Sequence, residues 1–325
     1  MSRIFRNKPS NQNKSNKKHS LLIASLTVVF TVVLLGVASL LVHSSSAYAA
    51  QPNVDLQSAK PFAILAGTPD ITDAGNASVI TGNVGLSPAT GAGIGLLCSQ
   101  VTGTIYSVDA AGPLPCRVTN GPLMVTAKND LTAAFIDAAG RTPITTIATE
   151  LGGTTVTAGV YDSNSTTFQI TAGAGPLVID GQNDPSSVFI FEMGFNGTGL
   201  TVGPGSTVSL INGASACNIF WKVDTASINT TAVFKGNILA LNSISVANGA
   251  NIVGRLLARN GAVSLNTDTI TVPATCAAAT STTTPGLPNT GTHSASKSST
   301  TWLILASAAT LGIASRYAFR SKRAN

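Results

Sequence analysis

The chain has 325 residues, 44% of them hydrophobic, and a formal charge of +6. Six of its 19 Lys and Arg precede residue 21 and five follow residue 291, whereas all 13 Asp and Glu lie between, so the central region is near −5. A nucleic-acid surface is thereby excluded there, and with all three histidines (His19, His43, His293) outside the centre, so are a histidine triad and a His-ligated metal.

The chain opens with Arg3, Arg6, Lys8, Lys14, Lys17 and Lys18, then an apolar run from Leu21 to Val42, then Ala47-Tyr48-Ala49. Charged end, apolar middle and small-residue cleavage site are the layout of a secretory signal, here residues 1–49, with membrane contact only before processing. Export permits disulfides. Of the three pairings open to Cys98, Cys116, Cys217 and Cys276, the short separation inside a Gly/Pro-rich insert favours Cys98 with Cys116 and leaves the partners of the other two open. No Cys-x-x-Cys occurs, so no zinc site is expected and no cofactor is implied.

From Leu123 to Ala139 apolar residues recur at three- and four-residue steps (Met124, Ala127, Leu131, Ala134, Phe135, Ala138), and Gly140 closes the run. This predicts one amphipathic helix of about four turns.

Beyond it the chain repeats. Strand-like runs beginning at Phe189, Ile219, Ile238 and Leu256 step by 30, 19 and 18 residues. Each is followed by a second run (Leu200-Thr201-Val202, Ser227-Ile228-Asn229, Ser243 to Val246, Val263 to Asn266) and a third (Val208 to Ile211, Val233 to Lys235, Ile252 to Arg255, Ile270 to Val272). Three parallel strands per turn with Gly or Asn at the corners predict a three-sided β-helix. On the first side Phe189 and Phe191 face opposite to Ile190, and Phe220 opposite to Trp221. Strands bulky on both faces need cover, which the helix supplies.

The chain finishes with a linker and sorting pentapeptide over 277–291, then residues 292–325 with an apolar run from Trp302 to Ala314 and a basic tail of Arg316, Arg320, Lys322 and Arg323. Leu287, Pro288, Asn289, Thr290 and Gly291, in that setting, resemble the cell-wall sorting signal of Gram-positive bacteria. The resemblance implies that a sortase cuts after Thr290 and joins it to peptidoglycan, placing the protein on the cell wall.

Catalytic readings are weak. Asp180, Asp184, Glu192, Asp224 and Asp268 could serve as paired acids, but they fall on different sides or corners of the ladder. Gly91-Ala92-Gly93-Ile94-Gly95 lacks the Lys and Ser/Thr of a phosphate loop. Asn164, Asn196 and Asn229 sit in glycosylation patterns that are usually idle in bacteria. The chain does not read as an enzyme.

The stretches FAILAGTPDIT, SVITGNVGLSP, AKNDLTAAFIDAAGRT, GVYDSNSTTFQIT, SSVFIFEM, INGASACNIFWKV, FKGNILALNSISV and GRLLARNGAVSLNTDTITV together resemble the bacterial ice-binding protein family. The resemblance implies a mostly β protein: a discontinuous right-handed parallel β-helix over residues 50–276 with one long helix packed along one side. It also implies that N-terminal strands such as Phe62 to Ala66 complete the solenoid out of sequence order. A monomer whose partner is the ice surface follows. An adhesin or structural wall protein binding a glycan or a protein on the same fold is the alternative.

A surface that adsorbs to ice is flat, rigid and uncharged. Alternation along the second side points Leu200, Ile228, Ile244, Val246, Val263 and Leu265 inward. Thr201, Ser227, Asn229, Ser243, Ser245, Ser264 and Asn266 then face out, with Gln169 and Thr171 extending the row. Thr198-Gly199-Leu200-Thr201 matches a Thr, small, any, Thr/Asn motif that some members of the family carry on their ice face. The third side is expected to expose Lys235 and Arg255, and the first lies under the helix, which leaves the second as the candidate ice face.

Overall fold

A computed structural model describes residues 51–194 and 199–273. The signal segment, Thr198, Cys276 and the sorting pentapeptide lie outside the described residues.

The architecture is a three-sided right-handed β-helix in which every strand pairing among the described residues is parallel. The first side runs through ten strands, from Arg117–Thr119 at one end to Ile144–Ile147 at the other. Phe62–Ala66 stands in its middle, between Asn83–Leu86 and Asn251–Ala258. Chain order and stacking order therefore part company: the turns from residue 62 to 107 stack beyond the turn that ends at residue 271. Leu256 pairs with Ile64, Val263 with Ile71 and Thr269 with Val79, one closure on each side. The out-of-order N-terminal strands expected from the family resemblance are thus present.

The helix, Gly121–Ala139, begins two residues earlier than its periodicity predicts because Asn120 caps it, its side chain accepting from the Leu123 N–H at 3.0 Å. It returns the chain from the Arg117–Thr119 end of the solenoid to the Ile144–Ile147 end. All six expected core residues of the helix are buried, packed on Leu65, Ile190, Phe220, Leu239 and Leu257 of the first side. Lys128 fastens it further, its Nζ donating to the carbonyls of Ala258 and Arg259, each at 2.6 Å.

Inside the solenoid, in-register strands stack like on like. Phe191 lies flat on Trp221, with centroids 4.1 Å apart and an interplanar angle of 10°, and Tyr161 and Phe234 extend the stack on either side. Deep burial of such large rings contributes about 2–3 kcal/mol each. Both hydrophobic clusters lie within residues 54–272, so this span carries its own complete core.

Arg255 corrects the sequence reading. It is 2% exposed, with Nε donating to the Lys60 carbonyl and Nη1 to Asn237 Oδ1, each at 2.7 Å. Gly254 is the cause. The third-side and first-side runs merge into single strands, Val233–Ala240 and Asn251–Ala258, which bend at Gly236 (φ +114°) and Gly254 (φ +151°). Arg255 falls past the bend and belongs to the covered side, where burial lowers its pKa to about 10. Lys235 stays on the third side, half-buried.

The expected disulfide between Cys98 and Cys116 is formed. It fastens the insert at the end of the solenoid that Arg117–Thr119 occupies. Cys217 is likewise disulfide-bonded.

Candidate functional site

The second side is a seven-stranded parallel sheet: Phe168–Ile170, Gly199–Val202, Thr225–Ile228, Ile244–Val246, Val263–Leu265, Ile71–Asp73 and Ile94–Gly95. β-Branched and leucine residues at alternate positions bury one face, and the turns at each corner let the chain repeat the register. All six positions expected to point inward are buried.

The outward positions form a straight row. Gln169 pairs with Thr201, Thr201 with Ser227, Ser227 with Ser245, Ser245 with Ser264, Ser264 with Thr72 and Thr72 with Gly95. Parallel strands place these members about 4.8 Å apart, and no register shift interrupts them. None of these seven residues is charged. Five residues expected from the sequence, Gln169, Thr201, Ser227, Ser245 and Ser264, are brought into this one row. Thr72 was missed, because its strand reaches the face from the opposite end of the sequence. Its pattern, Ile71-Thr72-Asp73 with Thr72 exposed between two buried neighbours, is the signal that could have found it.

A trough of ≈ 410 Å³ runs beside the row, between Thr201, Ser227 and Ser245 on one bank and Thr225 and Ser243 on the other. Its floor passes Gly199, where a Cβ would fall 1.9 Å from the Thr225 carbonyl oxygen, so the position accepts no side chain. Ser243 is exposed, and its Oγ accepts from the Ala262 N–H at 3.2 Å.

The corner residues are committed elsewhere. Asn229 is half-buried and donates through Nδ2 to the Val202 carbonyl at 2.8 Å. Asn266 is half-buried, and its Oδ1 accepts from Asn248 Nδ2 at 3.5 Å. These amides brace successive turns. Thr171 is exposed, but its hydroxyl donates to the Glu150 carboxylate.

Glu150 is the charged group at the edge of this face. It forms an isolated parallel bridge with Gln169, so it is the next member of the same row. Burial pushes its pKa up, and hydrogen bonds from Thr171, Gly152 and Gln169 more than offset this, leaving it below the usual glutamate value. At the far end, Asp70 is half-buried at the corner that precedes Ile71.

The ice-binding-like family model matches residues 64–271, most of the described solenoid. The chain belongs to this ice-binding-like family. It is 41% identical over 224 residues to an ice-binding protein of Flavobacterium frigoris (strain PS1), an alignment covering 68% of this chain and 76% of that protein. An ice-binding protein of a Colwellia species is also 41% identical over 224 residues, covering 68% and 84% respectively. Among solved structures, an ice-binding protein from an Antarctic biological consortium superposes with a TM-score of 0.58 at 35% identity, covering 70% of this chain and 94% of that one. One from an Arctic yeast gives 0.60 at 26% identity, covering 70% and 98%.

Ice-binding-like proteins of this kind are not enzymes, and the carboxylates weighed above are dispersed in keeping with that. Asp180 accepts from Asn212 and Gln182, Asp184 from Ser186, and Asp224 from Asn242. Asp268 is buried at the corner between the second and third sides, and Glu192 lies on the first.

Proposed function

We propose that the domain over residues 50–276 adsorbs to ice through the second side, and that the exported protein does so while anchored to a Gram-positive cell wall through Thr290. The observation that carries the first part is the uncharged, in-register row Thr201, Ser227, Ser245, Ser264 and Thr72. Hydroxyls repeating at the strand spacing offer water a regular set of donors and acceptors. The absence of charge along the row leaves nearby water free to take ice-like positions. Most members are serine, which lacks the methyl of threonine and so gives ordered water fewer apolar anchors. Membership in a family whose named relatives are ice-binding proteins supports the same reading.

The wall anchor rests on Leu287, Pro288, Asn289, Thr290 and Gly291 with the apolar run and basic tail that follow. Each turn runs from first to second to third side, and the last described strand, Thr269–Thr271, is on the third side, so the described chain ends at Pro273 near the edge where third and first sides meet.

Ice-affinity partitioning of residues 51–276 tests the ice reading: slow growth of ice through the solution should carry the domain into the solid. Retention in the liquid would refute it. Release of the protein from cell walls by a peptidoglycan hydrolase, and loss of that pool in Thr290→Ala, tests the anchor.

A further inference from the structure

Glu150 was not anticipated as part of the face, yet the structure places it in line. Its bridge with Gln169 continues the register of Gln169 with Thr201, so its side chain shares the outward direction of the row. The carboxylate is held in a closed set of contacts. Oε1 accepts from the N–H of Gly152 at 2.7 Å and of Thr171 at 3.0 Å, while Oε2 accepts from Gln169 Nε2 at 3.1 Å and from the Thr171 hydroxyl.

We propose that Glu150 sets the boundary of the ice-contacting array, a role that rests on the ice reading given above. Two physical effects act together. First, an anion orders its own hydration shell and loses much on desolvation, so a growing ice layer is held off the turn that carries it. Second, Glu150 accepts hydrogen bonds from the Thr171 hydroxyl and the Gln169 amide, donors that would otherwise be offered to water. Those two positions are filled by neutral side chains suited to an ice face, but the carboxylate beside them uses them. The effective array therefore ends at Thr201 and comprises five rows, Thr201 through Thr72.

Neutralising the boundary should enlarge the array. Glu150→Gln is close to isosteric and keeps one oxygen to accept from the two backbone N–H groups, while freeing the Thr171 hydroxyl and the Gln169 amide. Two members, Gln169 and the now neutral residue at 150, added to five at equal spacing raise the contact length by about two-fifths, and thermal hysteresis at matched concentration should rise above the wild-type value. Asp184→Asn removes one exposed negative charge away from the face and should leave hysteresis at the wild-type value. Gln169→Glu, at an exposed position, adds a second charge one row further in and should lower it.

The measurement is thermal hysteresis of residues 51–276 in these four forms, with circular dichroism confirming the fold of each. Hysteresis of folded Glu150→Gln equal to or below wild type overturns the proposal while leaving the ice reading intact. If Glu150→Gln does not fold, Gln169→Glu decides: a value at or above wild type overturns it and a lower value supports it. Wild-type protein with no hysteresis and no partitioning into ice removes the ice reading and this proposal together.

Discussion

The Asp73 carboxylate accepts a hydrogen bond from the backbone N–H of Thr267, 194 residues away in the chain, at 3.0 Å. This contact ties the N-terminal turn to the last turn of the solenoid. Around it, Asp73 also accepts from the Ser78 N–H and the Gln100 amide, and the Ser78 Oγ accepts from the Asp268 N–H at 2.9 Å. Burial raises the Asp73 pKa, but these donors more than compensate, so the group remains an anion below the usual aspartate range.

Asp73→Ala should destabilise the domain by about 3 kcal/mol, because it strands the buried donors of Ser78 and Gln100 and the partly buried N–H of Thr267. Urea denaturation checks this. The depressed pKa gives a sign as well: the Asp73 contribution is present above the unfolded value of about 3.8 and is lost as pH falls through the lower folded value.

Two other groups predict a stability minimum near neutral pH. Burial raises the Glu192 pKa to about 7, with Lys222 opposing and Asp162 assisting. The folded state then holds a proton that the unfolded chain has released, so stability falls as pH rises from 4.5 to about 7. Lys128 is the mirror case. Burial, assisted by Arg259, lowers its pKa from 10.5 to about 7. The unfolded chain binds the extra proton, so stability rises between about 7 and 10.5. Denaturation midpoints measured across this range should dip near pH 7. Glu192→Gln should flatten the acid limb and Lys128→Met the alkaline one.

The bends at Gly236 and Gly254 allow no side chain. A Cβ on Gly254 would lie 1.8 Å from the Gly236 carbonyl oxygen, and the backbone there has φ +151°. Gly254→Ala should cost about 3 kcal/mol or more, among the largest effects of any single substitution in the domain. It should also expose Arg255 to solvent, since the bend is what carries that side chain to its buried partners, the Lys60 carbonyl and Asn237. Thermal unfolding and hydrogen exchange on residues 251–258 measure the two effects.

Periodicity located the helix and the regular turns from residue 219 onward, because those signals are local: three- and four-residue steps in one case, strands repeating every 18 or 19 residues in the other. Non-local features escaped it. Thr72 belongs to the face only because Ile71–Asp73 pairs with Val263–Leu265, and nothing near Thr72 in the chain announces that partner. Glu150 joins through a single bridge in a stretch, Thr149-Glu150-Leu151-Gly152, with no strand pattern to read. Arg255 was assigned to the wrong side because alternation assumes a straight strand, and Gly254 bends it. Asn229 and Asn266 were selected by the correct alternation but spend their amides on neighbouring turns, which only coordinates reveal.

The central claim is that the second side is the surface ice touches, and it is tested most directly by thermal hysteresis and crystal shaping in Thr201→Tyr and Ser245→Lys. Both positions are exposed members of the row, Ser245 at its centre and Thr201 towards its Glu150 end, so each variant should keep the wild-type unfolding midpoint while losing hysteresis and ice shaping. Wild-type hysteresis and unchanged crystal habit in both variants would contradict the account and place ice contact elsewhere on the molecule.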